Sequence, residues 1–316
     1  MMRILHLPEI QKTLIYGAVI DRMRDAVTAW SRGECDMPMP MHLEIAAEKA
    51  EVHMKSSYRL GGKYFALKIA ATFPGNLTRG LPVGNGMMLL SSAETGEPVA
   101  FLADAGHLTD VRTAAVTALV ARELGRRDRA LGILGTGIQA RLQARMHAEI
   151  LPLEEIHIWG RNAERAAECR RDLEGTLPHV RILLADSPAE VARAARLIVT
   201  ATAARAPLLE LRNIEPGTHI SAVGSDSPGK QELDPAILRH ATLVLADSLR
   251  QCEKLGELQH APDQAGRARE IGAHCDAPAP YDSAGITVAD FTGLGVEDLA
   301  IAEYCYHEYS KTQGAR

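Results

Sequence analysis

A lysine set among alanines, an arginine heading an alanine-rich segment and an aspartate just past a strand end are the side chains best placed to grip a carboxylate and move a proton. In Tyr64-Phe-Ala-Leu-Lys68-Ile-Ala-Ala-Thr-Phe73, strict alternation puts Phe65, Leu67 and Ile69 on one strand face and Tyr64, Ala66, Lys68 and Ala70 on the other. An ammonium among such small residues either snorkels to solvent or projects into a concave site, where a ligand carboxylate supplies its counter-charge. In Leu108-Thr-Asp110-Val-Arg112-Thr113-Ala-Ala, an N-cap at Thr109 or Asp110 places Arg112 in the first helical turn, where a cation opposes the helix dipole. Arg112 therefore calls for an anion, either a structural carboxylate such as Asp104 or Asp110, or a ligand carboxylate or phosphate that suits its planar fork. Thr113 adds a hydroxyl for the same ligand. In Ser221-Ala-Val-Gly224-Ser225-Asp226-Ser227-Pro228-Gly229-Lys230, a strand ends just before an aspartate, and carboxyl ends of parallel strands face the ligand crevice. Asp226 either caps the turn or exchanges a proton with a ligand if burial raises its pKa, with Lys230 as the competing salt-bridge partner.

The stretch Leu131-Gly-Ile-Leu-Gly135-Thr136-Gly137-Ile138-Gln139-Ala140 runs an apolar strand into Gly-x-Gly-x-x-Ala and then a helix. That context makes it a dinucleotide-binding turn. Gly135 permits the tight turn, Gly137 lets the backbone approach a pyrophosphate, Ala140 allows close helix packing, and the helix N-terminus offers its N–H groups to phosphate. No acidic residue follows the next strand, Ile156-His-Ile-Trp159; Gly160-Arg161-Asn162 stands there instead. A guanidinium suits a 2′-phosphate, so NADP is favoured over NAD, the alternative being that Arg161 is a solvated loop residue.

These residues need rigid elements beneath them. Apolar spacing from Pro8 to Arg32 predicts one amphipathic helix, and segments 41–47, 51–57, 64–73, 87–92 and 99–103 predict hairpin strands of a mainly antiparallel sheet. A long helix after Asp110 leads into strands at 130–134, 155–159, 181–184, 197–200, 219–223 and 243–246 that alternate with helices, the pattern of a doubly wound parallel sheet. A last strand-turn-helix at 287–306 is free to return to the first domain, the parallel sheet being complete without it. The fold class is thus α/β: a Rossmann sheet plus an α+β domain.

With 316 residues, 46% hydrophobic, the chain can bury two cores. A net charge of −5 without a Lys/Arg-rich run argues against nucleic acid, leaving a small molecule as the expected partner. No apolar run reaches a membrane span and no signal-peptide pattern opens the chain, so the expected location is cytoplasmic. The five cysteines are isolated, as in a reducing compartment, and no metal site is expected.

Together, Leu67-Lys68 with Phe73-Pro-Gly-Asn76, the Arg112 segment, the Gly135–Ala140 turn, the Asp226 segment and Asp290-Phe-Thr-Gly-Leu-Gly-Val-Glu-Asp-Leu299 resemble the ornithine cyclodeaminase/mu-crystallin family over nearly the whole chain. The resemblance implies a homodimer built through the first domain's sheet and an active site in a cleft between domains 1–118 with 290–316 and 119–289. It assigns Lys68 and Arg112 to the substrate carboxylate, with Lys55 a further candidate, and makes Asp226 the catalytic acid or base. Arg112, Thr113, the 135–140 turn, Arg161, Asn162, Thr200, Val223 and Gly293 would line the cofactor. The family's early-strand arginine is missing, because the run reads Met37-Pro-Met-Pro-Met41-His42. The glutamate that ornithine cyclodeaminase uses on the next strand is replaced by Val52, and Lys55 stands where a proline is expected, which makes the segment look more like the ectoine-utilisation branch. The resemblance thus implies first an NADPH-dependent imine or ketimine reductase or amino-acid dehydrogenase. Cyclodeaminase activity, ornithine to proline plus ammonia, is the alternative, and a non-catalytic NADPH-binding protein of crystallin type a second one.

Overall fold

The computed structural model describes residues 2–314, and their contacts divide the chain into two units. One holds the chain through Arg112 and from Leu294 onward; the other is Thr113–Gly293. The divisions drawn from sequence at 118/119 and 289/290 fall a few residues away, and the His107–Glu123 helix runs unbroken through the first.

The first unit is built on a seven-stranded sheet ordered Arg3–His6, Pro98–Ala103, Gly84–Ser92, Tyr64–Thr72, Ala50–Arg59 and Cys35–Asp36, with Met41–Ile45 also paired to Ala50–Arg59. All pairings are antiparallel except that of Arg3–His6, an edge strand that its short length hides in the sequence. The Gly295–Gly314 helix lies against the Tyr16–Ser31 helix and the central strands. It covers the face that carries Ala66 and Lys68, both buried, and leaves Leu67 and Ile69 on the opposite face, 43% and 38% exposed.

Two helix expectations change. The single helix of 8–32 is two, Leu7–Thr13 and Tyr16–Ser31, because Leu14 and Ile15 are extended and the Ile15 N–H donates to the Tyr304 hydroxyl at 3.4 Å. A tertiary partner satisfies the group that a continuous helix would have bonded internally. The third helix begins at His107, with the Asp104 carboxylate accepting the Leu108 N–H at 2.8 Å, so neither Thr109 nor Asp110 is the cap. Arg112 therefore sits in the second turn.

In the second unit eight parallel strands run in the order Arg181–Leu184, Glu155–Trp159, Ala130–Leu134, Leu197–Thr200, His219–Ala222, Thr287–Asp290, Leu243–Ala246 and Arg269–Glu270. Strand order reverses between Ala130–Leu134 and Leu197–Thr200, the crevice at which doubly wound sheets bind ligands. Side chains alternate into two cores. Ile133, Ile156 and Ile158 meet Ala140 and Ala144 on one side, while Ile198, Ile220 and Val288 meet Ile237 and Leu238 on the other. Burial on both faces explains the continuous apolar strands. Strand Thr287–Asp290 corrects the idea that the sheet is complete without the C-terminal segment: it is an interior strand, and only the helix after it belongs to the first unit. No helix among the described residues is long and apolar enough to cross a membrane.

Candidate active site

Lys68 is drawn into the first unit's interior by strand alternation, and its counter-charge comes from the chain itself. Its Nζ lies 2.7 Å from Asp298 Oδ2. Arg112 donates from Nε to Asp298 Oδ1 at 3.0 Å and from Nη1 to Glu297 Oε2 at 2.9 Å. All four side chains are at least 95% buried. In place of Asp104, Asp110 or a ligand, the first turn of the Gly295–Gly314 helix supplies the anion for Arg112, where carboxylates also suit the helix dipole. Lys55 pairs directly opposite Lys68 and so shares its face. Three cations therefore meet two carboxylates, an excess of one positive charge.

Burial pulls the Lys68 ammonium down to about 7, Asp298 draws it back up, and Arg112 and Lys55 push it further down. Burial alone would raise Asp298, but Lys68, Arg112 and Lys55 together hold it below its ordinary value. Between about 7 and the ordinary lysine value of 10.5 the unfolded chain binds more protons at Lys68 than the folded one, so this group makes stability rise with pH across that window. Its ability to hold an anion runs the other way. For a carboxylated substrate, kcat/KM should fall as pH rises through about 7, whereas a flat profile from pH 6 to 9 would deny Lys68 that role.

The second unit provides a cradle for phosphate. Gly135 has φ +132°, and a Cβ there would lie 2.5 Å from the Ala201 carbonyl oxygen. Gly137 caps the Ile138–Ile150 helix with open space where its Cβ would be, which is the room a pyrophosphate needs. Ala140 is fully buried against the sheet, while Gly137 and Ile138 are exposed and Thr136 and Gln139 half-buried. A Cβ on Gly160 would clash with Thr136, so the second strand's end must approach the turn through a glycine. Arg161 is exposed, whereas Asn162 serves the next helix as its N-cap, accepting the Arg165 N–H at 2.9 Å. That structural duty accounts for its presence.

Buried carboxylates that sequence reasoning missed fix the neighbouring strand ends. Glu232 accepts from the Thr200 hydroxyl at 2.6 Å, the Thr202 hydroxyl and N–H at 2.7 Å, and the Gly224 N–H at 2.9 Å. Glu257 accepts the N–H groups of Glu232 and Leu233, Asp290 those of Glu257 and Leu258, and Asp247 those of Thr292 and Gly293. Burial raises Glu232, Glu257 and Asp290, the last to about 7. Two of the residues expected to line the cofactor are held by these carboxylates. Thr200 is fully buried with its hydroxyl given to Glu232, and Gly293 is buried with its N–H given to Asp247. Val223 and Thr113 stay half-buried.

Asp226 departs from expectation in another way. Its side chain is 46% exposed, and its Oδ1 lies 2.6 Å from Lys230 Nζ. The turn holds an accessible carboxylate with a cation beside it. Such a pair can release or take a proton at a ligand nitrogen without unfolding the loop. Lys68, Arg112 and Lys55 thus gather in one unit, and the glycine turn, Arg161, Val223 and Asp226 in the other.

A family model matches residues 2–313, a span that includes the ion cluster, the turn and the aspartate loop. The chain belongs to the ornithine cyclodeaminase/mu-crystallin family. Relatives include an uncharacterized cyclodeaminase of Sinorhizobium fredii, 39% identical over 85% of this chain and 84% of that protein. An iminosuccinate reductase of Paracoccus denitrificans is 32% identical over 82% of this chain and 81% of that one. A solved structure of an archaeal alanine dehydrogenase dimer with bound NAD superposes with a TM-score of 0.89 at 27% identity, covering 99% of this chain and 97% of that one. Within the ornithine cyclodeaminase/mu-crystallin family, Val52 was the position compared with the diamine-binding glutamate; the register pairs it with Leu43 and Ala71 on the face away from Lys68. Glu51, His53 and Lys55 are the residues that share the Lys68 face.

Proposed function

We propose that this chain is an NAD(P)H-dependent oxidoreductase that transfers a hydride at the carbon–nitrogen centre of a small amino or imino acid. The gathering of Lys68, Arg112 and Lys55 around Glu297 and Asp298 carries the reading, because an α-carboxylate is an anion that these cations would hold. Glu297 and Asp298 hold the two buried cations at fixed positions, so little side-chain ordering is left to occur on binding. Nicotinamide, bound through the glycine turn, supplies or accepts the hydride. Lys68 and Arg112 hold the carboxylate, and Asp226 gives a proton to the substrate nitrogen or takes one from it. The relatives named for alanine dehydrogenation and iminosuccinate reduction act at such a centre.

A second reading, cyclodeaminase, draws on the Sinorhizobium fredii relative and on the Glu51 carboxylate, which lies on the Lys68 face where a distal amine could meet it. Both readings use the same hydride chemistry. A panel of cyclic ketimines, pyruvate with amines, and ornithine separates them. The reductase consumes NADPH stoichiometrically; ornithine converted to proline with ammonia release and no net NADPH consumption would reverse the ranking.

NADPH is the proposed form of the cofactor because Arg161, exposed just past the second strand, fits a 2′-phosphate. NADPH should raise the melting temperature more than NADH at equal concentration. A larger shift with NADH would remove that role from Arg161. The face bearing Met41, Leu43, Leu67, Ile69 and Met87, each more than a third exposed, is the proposed homodimer contact.

A further inference from the structure

Strand pairing brings together three side chains that are scattered in the sequence. His42 pairs directly opposite His53 across the antiparallel ladder, and Glu51 lies two residues before His53, so all three project from one sheet face. The two imidazole rings stack with centroids 4.8 Å apart and planes 12° from parallel. One ligand atom from each of His42, Glu51 and His53 lies within 4.8 Å of the others, and His53 Nε2 is 3.5 Å from Glu51 Oε2. Two ligands of a tetrahedral ion with bonds of about 2.1 Å lie about 3.4 Å apart, so that pair already has the required span. Coordination by all three would require the His42 side chain to rotate out of this stack.

We propose that His42, His53 and Glu51 form a binding site for one divalent transition-metal ion of the Zn²⁺ class. Two imidazoles and one carboxylate select Zn²⁺, Co²⁺ or Ni²⁺ over Ca²⁺ or Mg²⁺, which prefer all-oxygen shells. The ligands sit on hydrogen-bonded strands, so the backbone fixes their spacing before the ion arrives. Glu44, opposite Glu51 on the same face, adds a second carboxylate nearby, and Lys55 is the next residue on that face after His53. The carboxylates of Glu51 and Glu44 attract a dication, with Lys55 offsetting part of that attraction. All three ligands are at least partly open to solvent, leaving the ion an entry path and room for water as a further ligand.

The site is tested on the untagged full chain after chelator treatment and dialysis, by Zn²⁺ calorimetry and by the visible absorption of added Co²⁺. One ion per chain should bind, with affinity falling about tenfold or more in each of His42→Ala, His53→Ala and Glu51→Gln. His240→Ala, an exposed histidine elsewhere, should bind as the parent does. Circular dichroism and melting of every variant verify that the sheet remains folded. Saturable binding that survives His42→Ala with His53→Ala, or no saturable binding by the parent at all, would overturn the proposal. Because the readout is ion binding, its failure leaves the hydride-transfer reading untouched.

Discussion

Asp226→Asn should lower turnover by about 10²- to 10⁴-fold while NADPH binding is retained. Amide and carboxylate are nearly the same size, so the turn from Gly224 to Lys230 keeps its shape, but the amide can no longer take up or deliver a proton at the substrate nitrogen. The fold should survive because this side chain is 46% exposed and its strong contact is an ion pair with Lys230. Exposed pairs contribute at most about 1 kcal/mol, so the melting temperature should move little. The parent and the variant are compared by kcat with a cyclic ketimine and by NADPH titration. Unchanged turnover with intact cofactor binding would remove Asp226 from the mechanism, whereas a parent that binds NADPH but turns over no substrate would favour a nucleotide-binding protein without catalysis.

The other large effect is on stability. Asp298 touches both Lys68 and Arg112 in a setting from which water is excluded. Asp298→Ala leaves two buried cations with only Glu297 between them, and breaking a buried pair from one side costs about 3–5 kcal/mol. Combining Asp298→Leu with Lys68→Met removes both charges of the closest contact and should recover much of that loss, since no uncompensated ion remains. The double variant should nevertheless stay inactive toward carboxylated substrates, because the cation that holds them is gone. Thermal melting of the single and double variants, with kcat/KM for the latter, checks this. An Asp298→Ala chain that melts like the parent would mean that the cluster is solvated rather than buried.

The sequence made some of this arrangement visible and concealed the rest for identifiable reasons. Alternation around Lys68 separated its face from that of Leu67 and Ile69, and glycine spacing at 135–140 located the phosphate turn, because both follow from local periodicity. The counter-ions were hidden. Glu297 and Asp298 approach Lys68 and Arg112 only after the last helix folds back onto the first unit, so no local pattern announces them. For the same reason the buried Glu232 gave no signal: it reads as an ordinary surface glutamate until four donors from three residues, Thr200, Thr202 and Gly224, converge on it. Helix starts went astray where the cap lay outside the expected window, as Asp104 does for the helix that carries Arg112. Val52 and Glu51 point to opposite faces, because a one-residue offset in a strand reverses the face, and periodicity alone does not say which of them faces Lys68.

The central claim is that hydride moves between nicotinamide and the carbon bearing nitrogen. The most direct measurement uses NADPH with both C4 hydrogens replaced by deuterium and a cyclic ketimine carboxylate as substrate, with the product examined by mass spectrometry and proton NMR. One deuterium on the carbon bonded to nitrogen for each NADPH oxidised is the predicted result. Oxidation of NADPH that leaves the product carbon unlabelled would contradict it.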